Sequence, residues 1–460
     1  MATAATARSS IPAQPAESAR MNSVPPQSVI AALEKHILVD GFKLVFDAEQ
    51  SRGSNFVDAS TGRSFIDLYG FYASQPIGYN HPHFNRPDVQ AELLRAAKVK
   101  VANADVYTPQ YATFVETFAR VIALPQMPRY FFIDGGALAV ENALKAAMDW
   151  KVRKNLAAGL GERGTEIIHF KNAFHGRSGY TMSLTNTDPR KTQHFAKFPW
   201  PRVSTPALNF ALPEKERLAD VIAKEKVAEK EIRDVLAQKA DDVAAVIIEP
   251  IQGEGGDNHF RGEFLHLLRR ICDDNNVLLI FDEVQCGMGI TGKRWCCEHF
   301  GVIPDLLAFG KKSQVCGAMA GPRLDEVKDN CFRLPSRISS TFGGNFTDFV
   351  RSTNYLRIYE QENLVEHARV QGETFLAGLR ELVHRHSIVT APRGRGLMLA
   401  FDLPDTATRD AFWRGCYELG LLVIRSGERS IRLRPVLDIQ DDIIERSLAI
   451  MSDECGKLSK

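Results

Sequence analysis

Residues 277–289 read VLLIFDEVQCGMG, and residues 304–312 read PDLLAFGKK. Each stretch carries an apolar run of strand length, and each run ends on a charge: Asp282 in the first, Lys311 in the second. Unbroken apolar runs mark strands covered on both faces, as in a parallel sheet. In open parallel sheets ligands bind beyond the carboxyl ends of the strands. A carboxylate and an amine are therefore expected to meet in one crevice, delivered from two strand ends.

The same alternation runs through the middle of the chain. RYFFI (129–133) precedes Gly135-Gly136 and a helical stretch, and EIIHF (166–170) leads into the loop KNAFHGRSGY. VAAVIIEP (243–250) carries the loop IQGEGGD, and the helix FLHLLRRICDDN (264–275) leads back into VLLIF. Strands alternating with helices predict an α/β fold with a large, mainly parallel sheet. Upstream, a helix is expected from near Pro26, a hairpin-like region over 43–69, and a helix over 109–123. The charge-dense stretch 213–242 has helical apolar spacing and predicts one or two surface helices. From about Asn345 the pattern changes to one long helix over 346–386 and then short strands at 396–403, 420–427 and 430–435. That part is α+β in character. The expected division is an arm over 1–25, the first part of a small domain over 26–75, a large domain over 76–344, and the rest of the small domain over 345–460.

Bulk properties narrow the class. A chain of 460 residues is more than one ordinary core serves. Apolar residues make up 44% and charged residues 25%, as in globular proteins generally. With a net charge of +1 there is no basic field for nucleic acid or an anionic membrane. No apolar run approaches the roughly 18 residues of a membrane span. The eight cysteines show no CxxC pairing and no metal-type cluster with histidine. They read as reduced thiols of a cytoplasmic protein, and no metal site is expected. Residues 1–25 are rich in Ala, Ser and Pro and lack the apolar core of a secretory signal. They read as a disordered arm, with a transit peptide as the alternative.

Five features carry chemistry. Gly135, Gly136 and Ala137 stand between a strand and a helix, where free backbone N–H groups bind anions. Phe174, His175 and Arg177 follow a strand end. A flat ring there can cover a cofactor, and a guanidinium can grip a carboxylate. Asp282 needs a partner at its strand end, and a protonated pyridine nitrogen would serve; Gln285 lies three residues on. Lys311 and Lys312 sit where desolvation can leave an amine unprotonated. Glu254 lies in a glycine loop. Taken singly, Phe174 reads as core and Arg177 as a surface ion pair. Together, a carboxylate and an amine suit the ring nitrogen and the aldehyde of pyridoxal phosphate. Two adjacent lysines on an extended segment cannot both point inward, and local physics leaves open which one does.

FHGRSGYTMSLT, IIEPIQGEGG, LLIFDEVQCGMGITG, PDLLAFGKK and IRLRPVL resemble the class III, fold type I pyridoxal-phosphate aminotransferases, from about residue 27 onward. Within that class, FFIDGGALAVENALKAAMDWK, FGKKSQVCGAMAG and SSTFGGNFTD are similar to the L-lysine 6-aminotransferases, which move the ε-amino group of lysine to 2-oxoglutarate. The resemblance implies that Lys311 forms the Schiff base, although the class usually has Gly where Lys312 stands. It implies Asp282 on the pyridine nitrogen, Gln285 on the phenolic oxygen, Gly136 and Ala137 on the phosphate, and Phe174 on the ring with His175 nearby. The class commonly has Ser at the position of Gly135, so a hydroxyl is missing there. Thr341 is implied to reach the phosphate in the partner subunit of a homodimer with shared sites. Arg177 is implied to bind the α-carboxylate of lysine or the corresponding carboxylate of 2-oxoglutarate, and Glu254 to neutralise Arg432 until 2-oxoglutarate needs it. The expected activity is ping-pong transamination from L-lysine to 2-oxoglutarate. The nearer alternative is another ω-aminotransferase acting on ornithine, 4-aminobutyrate or a diamine. A nucleotide-binding protein is the alternative from another class, but no GxxxxGK[ST] string is present.

Overall fold

Val243–Ile248, Leu278–Asp282 and Leu306–Phe309 are buried at every position, as strands sandwiched between helices must be. In the computed structural model, which describes residues 24–459, they form the centre of a seven-stranded sheet. The order is Arg129–Ile133, Cys316–Ala320, Leu306–Phe309, Leu278–Asp282, Val243–Ile248, Glu166–Phe170 and Arg202–Val203. All run parallel except Cys316–Ala320, which is antiparallel to both its neighbours. Arg129–Ile133 therefore points the same way as the central strands. The carboxyl ends that precede Gly135, Phe174, Glu249, Asp282 and Lys311 all open on one edge.

Side chains alternate between the two faces of this sheet. Leu278, Ile280, Leu306 and Ala308 cluster with Val140, Leu144 and Trp150 of the helix Gly136–Ala157. Leu279, Phe281, Leu307 and Phe309 cluster with Phe264 and Leu268 of the helix Gly262–Asp274. Fully burying one such side chain contributes about 1.5–3 kcal/mol, so the register of the central strands is strongly specified.

The first and last parts of the chain meet. Asn55–Val57 pairs antiparallel with Ser64–Asp67, which pairs parallel with Leu421–Leu422. A four-stranded antiparallel sheet follows the order Thr390–Arg395, Met398–Asp402, Ser430–Leu433, Ile424–Ser426. The stretch expected to hold one or two helices over 213–242 forms one, Glu214–Lys239. The single helix expected over 346–386 is two, Phe346–Gln361 and Leu364–Arg385. Asn363 separates them in the left-handed region at φ 50°, a conformation that asparagine tolerates better than most residues. The arm expected over 1–25 lies outside the described residues up to residue 23; Val24 and Pro25 are exposed. Among the described residues, no helix is long and apolar enough to cross a membrane.

Gly70, Phe71, Tyr72 and Ala73 are all left-handed, with φ of 50°, 49°, 57° and 72°. Each non-glycine residue in this conformation costs about 1–2 kcal/mol, so neighbours must hold the turn. Asp67 accepts hydrogen bonds from the N–H groups of Tyr69 (2.7 Å) and Gly70 (2.8 Å). Gln314 donates to the Ser74 carbonyl at 2.8 Å. A Cβ at position 70 would lie 2.4 Å from the Arg434 carbonyl oxygen, so only glycine fits there.

Candidate active site

Asp282 ends its strand almost fully buried, paired in register with Ala308. Its Oδ1 accepts from the Val284 N–H at 3.0 Å, and its Oδ2 lies 2.7 Å from His175 Nδ1. Burial pushes His175 down, but the hydrogen bond and charge of Asp282, with the charge of Glu249, outweigh it and raise the imidazole above its usual range. Glu249 is itself raised, chiefly by burial. Its carboxylate accepts from the N–H groups of Phe174 (2.9 Å) and Gly253 (3.2 Å), tying the Phe174 loop to the glycine loop.

The phosphate turn and the Phe174 loop touch. Gly176, at φ 118°, would place a Cβ 2.5 Å from that of Ala137. The helix Gly136–Ala157 begins there with Gly135 at its cap, at φ 97°, and no side chain caps its first N–H groups. Phe174 is half-buried beside this cradle, while Arg177 is exposed. Residues 287–292 also spell GxGxxG after the Leu278–Asp282 strand, but they lead into turns and the short 3-10 stretch Cys296–His299. They open no helix that could take a phosphate.

The lysine pair separates cleanly. Lys312 is 2% exposed and donates to the carbonyls of Gln75 (2.7 Å) and Pro435 (3.4 Å). Lys311, left-handed at φ 52°, has no such tether among the described residues. Burial and the charge of Arg432 lower its amine to about 8, against the opposing charges of Asp282 and Cys316. It is thus both free to react and partly neutral near pH 8.

Arg432 arrives from the strand Ser430–Leu433 and donates to Gln285 Oε1 at 3.1 Å. Arg434, fully buried, donates to the same oxygen at 3.1–3.2 Å and forms an ion pair with Asp257. Arg434 stands just past the end of that strand, two residues from Arg432, and that spacing was the available signal for it. Arg432 Nε is buried without a hydrogen-bond partner, and its guanidinium lies 6.0 Å from the Tyr72 ring. The expected pairing of Glu254 with Arg432 is not made here. Glu254 is ion-paired with Lys191 and accepts from Thr187 Oγ1 at 3.3 Å. A nearer cation on the neighbouring loop has taken the carboxylate. Gln285 is likewise occupied by the two arginines. Thr341 is exposed, in a segment tethered by Asn103, which donates to the carbonyls of Phe342 (3.2 Å) and Gly344 (3.0 Å). Among the described residues, no group of three or more His, Cys, Asp or Glu is arranged to hold a metal ion.

An uncapped helix start, a half-buried aromatic face, a buried carboxylate and an untethered amine of lowered basicity stand on one sheet edge. That arrangement would suit a phosphorylated aldehyde. Residues 39–454 match the model of the aminotransferase class-III family. The chain belongs to that family and is a pyridoxal-phosphate-dependent aminotransferase. It is 49% identical to the L-lysine-epsilon aminotransferase of Streptomyces clavuligerus over 432 residues, 93% of each chain. It is 47% identical to that of Mycobacterium bovis over 427 residues, 92% of this chain and 94% of the relative. The solved lysine aminotransferase of M. tuberculosis superposes with a TM-score of 0.92 at 46% identity, covering 95% of this chain and all of that one. The residues present fit the cofactor: Gly136 and Ala137 for its phosphate, Asp282 for its ring nitrogen, Lys311 for its aldehyde.

Proposed function

We propose that this aminotransferase moves the ε-amino group of L-lysine to 2-oxoglutarate, releasing the 6-semialdehyde and L-glutamate in two half-reactions. One observation carries the catalytic part: Lys312 is tied to two backbone carbonyls while Lys311 is untethered and of lowered basicity. Identity of 46–49% over more than nine-tenths of the chain to proteins named for lysine supports the donor.

Bound pyridoxal phosphate supplies an electron sink for the bond being broken at the amine-bearing carbon. Asp282, oriented by His175, would stabilise a proton on the ring nitrogen and so keep that sink effective. Lys311 would hold the aldehyde at rest and, when free, would take a proton from the amine-bearing carbon as general base and return it as general acid. The N–H groups of Gly136 and Ala137 would bind the phosphate, and Phe174 would cover the ring. In this reading Arg177 takes the α-carboxylate of lysine. Arg432 takes the carboxylate beside the reacting carbon of 2-oxoglutarate, with Glu254 as the movable counter-ion. Arg432 suits that task because, among the described residues, it donates to the neutral amide of Gln285 and forms no ion pair. The 6-semialdehyde then cyclises to a Δ1-piperideine carboxylate.

The working unit in this reading is a homodimer, with Thr341 reaching the partner's phosphate; its exposure supports that. All eight cysteines are unpaired, which supports a reducing, cytoplasmic setting. The test is an absorbance scan of the purified protein before and after L-lysine, then after 2-oxoglutarate. Visible absorbance should fall with the first addition and return with the second, with glutamate as product. Turnover of 4-aminobutyrate or ornithine without turnover of lysine would overturn the donor assignment.

A further inference from the structure

Lys191 lies within electrostatic reach of Arg432 and Arg177. It ends the short 3-10 turn Pro189–Lys191, about one-third exposed, with its ammonium 5.5 Å from the centre of the Phe174 ring. Among the described residues Glu254 is paired with Lys191 and not with Arg432. Glu254 is steadied there by Thr187 Oγ1, and its own carbonyl accepts from Ser426 Oγ at 3.0 Å. Burial, and then the like charges of Arg432 and Arg177, press the Lys191 ammonium below its ordinary range, with Asp188 opposing them. A carboxylate beside it relieves that repulsion.

We propose that Lys191 is a specificity-determining residue: it holds Glu254 in the resting enzyme and leaves Arg432 ready for the second carboxylate of a dicarboxylic 2-oxo acid. The proposal rests on the reading of Arg432 as the acceptor's anchor. An exposed ion pair contributes little, but this one stands against the aromatic wall of the site and competes with a buried guanidinium for a single carboxylate. Arg432 cannot be left unpaired at no cost, because its Nε has no partner. With Lys191 present, the dicarboxylate meets an open Arg432. The amine donor, which brings one carboxylate, must draw Glu254 across from Lys191. Lys191 therefore lowers the concentration of acceptor needed and raises that of donor.

The test follows the two half-reactions separately by stopped-flow absorbance in the holoenzyme, for the parent, Lys191→Met, Lys191→Arg, Glu254→Gln and the Lys191→Met/Glu254→Gln pair. Lys191→Met should raise the half-saturating concentration of 2-oxoglutarate about tenfold, with the saturated rate changing less than twofold. It should leave the half-saturating concentration of L-lysine equal or lower. Lys191→Arg should restore the parent values, and Lys191→Met should add nothing once Glu254 is Gln. Equal effects on both half-reactions, or none on either, would overturn the proposal. If Lys191→Met fails to fold, Lys191→Gln is read the same way. If the parent itself does not accept 2-oxoglutarate, the functional reading fails. If the parent accepts it and the Lys191 variants do not split the half-reactions, only the role of Lys191 fails.

Discussion

A lysine buried without an acid partner loses basicity because its charged form loses water. Lys311 and Lys312 both do so, to about 8 and about 7, with Arg434 the main charge acting on Lys312 after burial. Basicity therefore does not separate them, and hydrogen bonding does. Replacing Lys311 with Ala should abolish turnover and the visible absorbance of bound cofactor while the fold persists by circular dichroism. Replacing Lys312 with Met should keep that absorbance and lower stability by about 1–3 kcal/mol in urea, since two buried carbonyls lose their donor. A pH dependence follows for the apo-protein. At pH 7 about one-tenth of Lys311 is neutral when its value is about 8. The rate at which pyridoxal phosphate is taken up should therefore climb with pH and level off above about 8; a flat profile from pH 6 to 9 would contradict it.

At the scale of elements, the left-handed turn Gly70–Ala73 sets Tyr72 near Arg432 and the Gln75 carbonyl on Lys312. Ala73 is fully buried at φ 72°. Ala73→Gly should leave the melting temperature equal or slightly higher, because glycine relieves a left-handed cost of about 1–2 kcal/mol. Ala73→Val should lower stability by more than 2 kcal/mol, as a β-branched residue tolerates this φ poorly. The central strands were legible because buried parallel strands leave unbroken apolar runs, and so was the shared edge of Gly136, Phe174, Asp282 and Lys311. The left-handed turn was not, because GFYAS has only one glycine and gives no local reason for three further residues to follow it. The break at Asn363 was hidden by apolar spacing that continues on both sides. The partner of Glu254 was illegible because nothing in the sequence around Lys191 points to a carboxylate more than sixty residues away, and only the folded chain brings the two together.

At the scale of the whole molecule, the proposed dimer makes each site depend on two chains. Mixing a Lys311→Ala chain with a Thr341→Arg chain should recover activity that neither has alone, since one of the two sites then has both native residues. Failure to recover activity, in a mixture shown by light scattering to contain dimers, would mean that Thr341 serves no partner. Lys312 bears on how the molecule is made. Its two carbonyl acceptors lie far apart in sequence, and the later one, at Pro435, follows the lysine by 123 residues. During translation at about 5–20 residues per second, that acceptor emerges roughly 6–25 s after the lysine. Until then the loop bearing Lys311 lacks its second anchor. Ribosome-bound chains arrested before Pro435 should therefore capture little cofactor, and assembly of the holoenzyme should be a post-translational event.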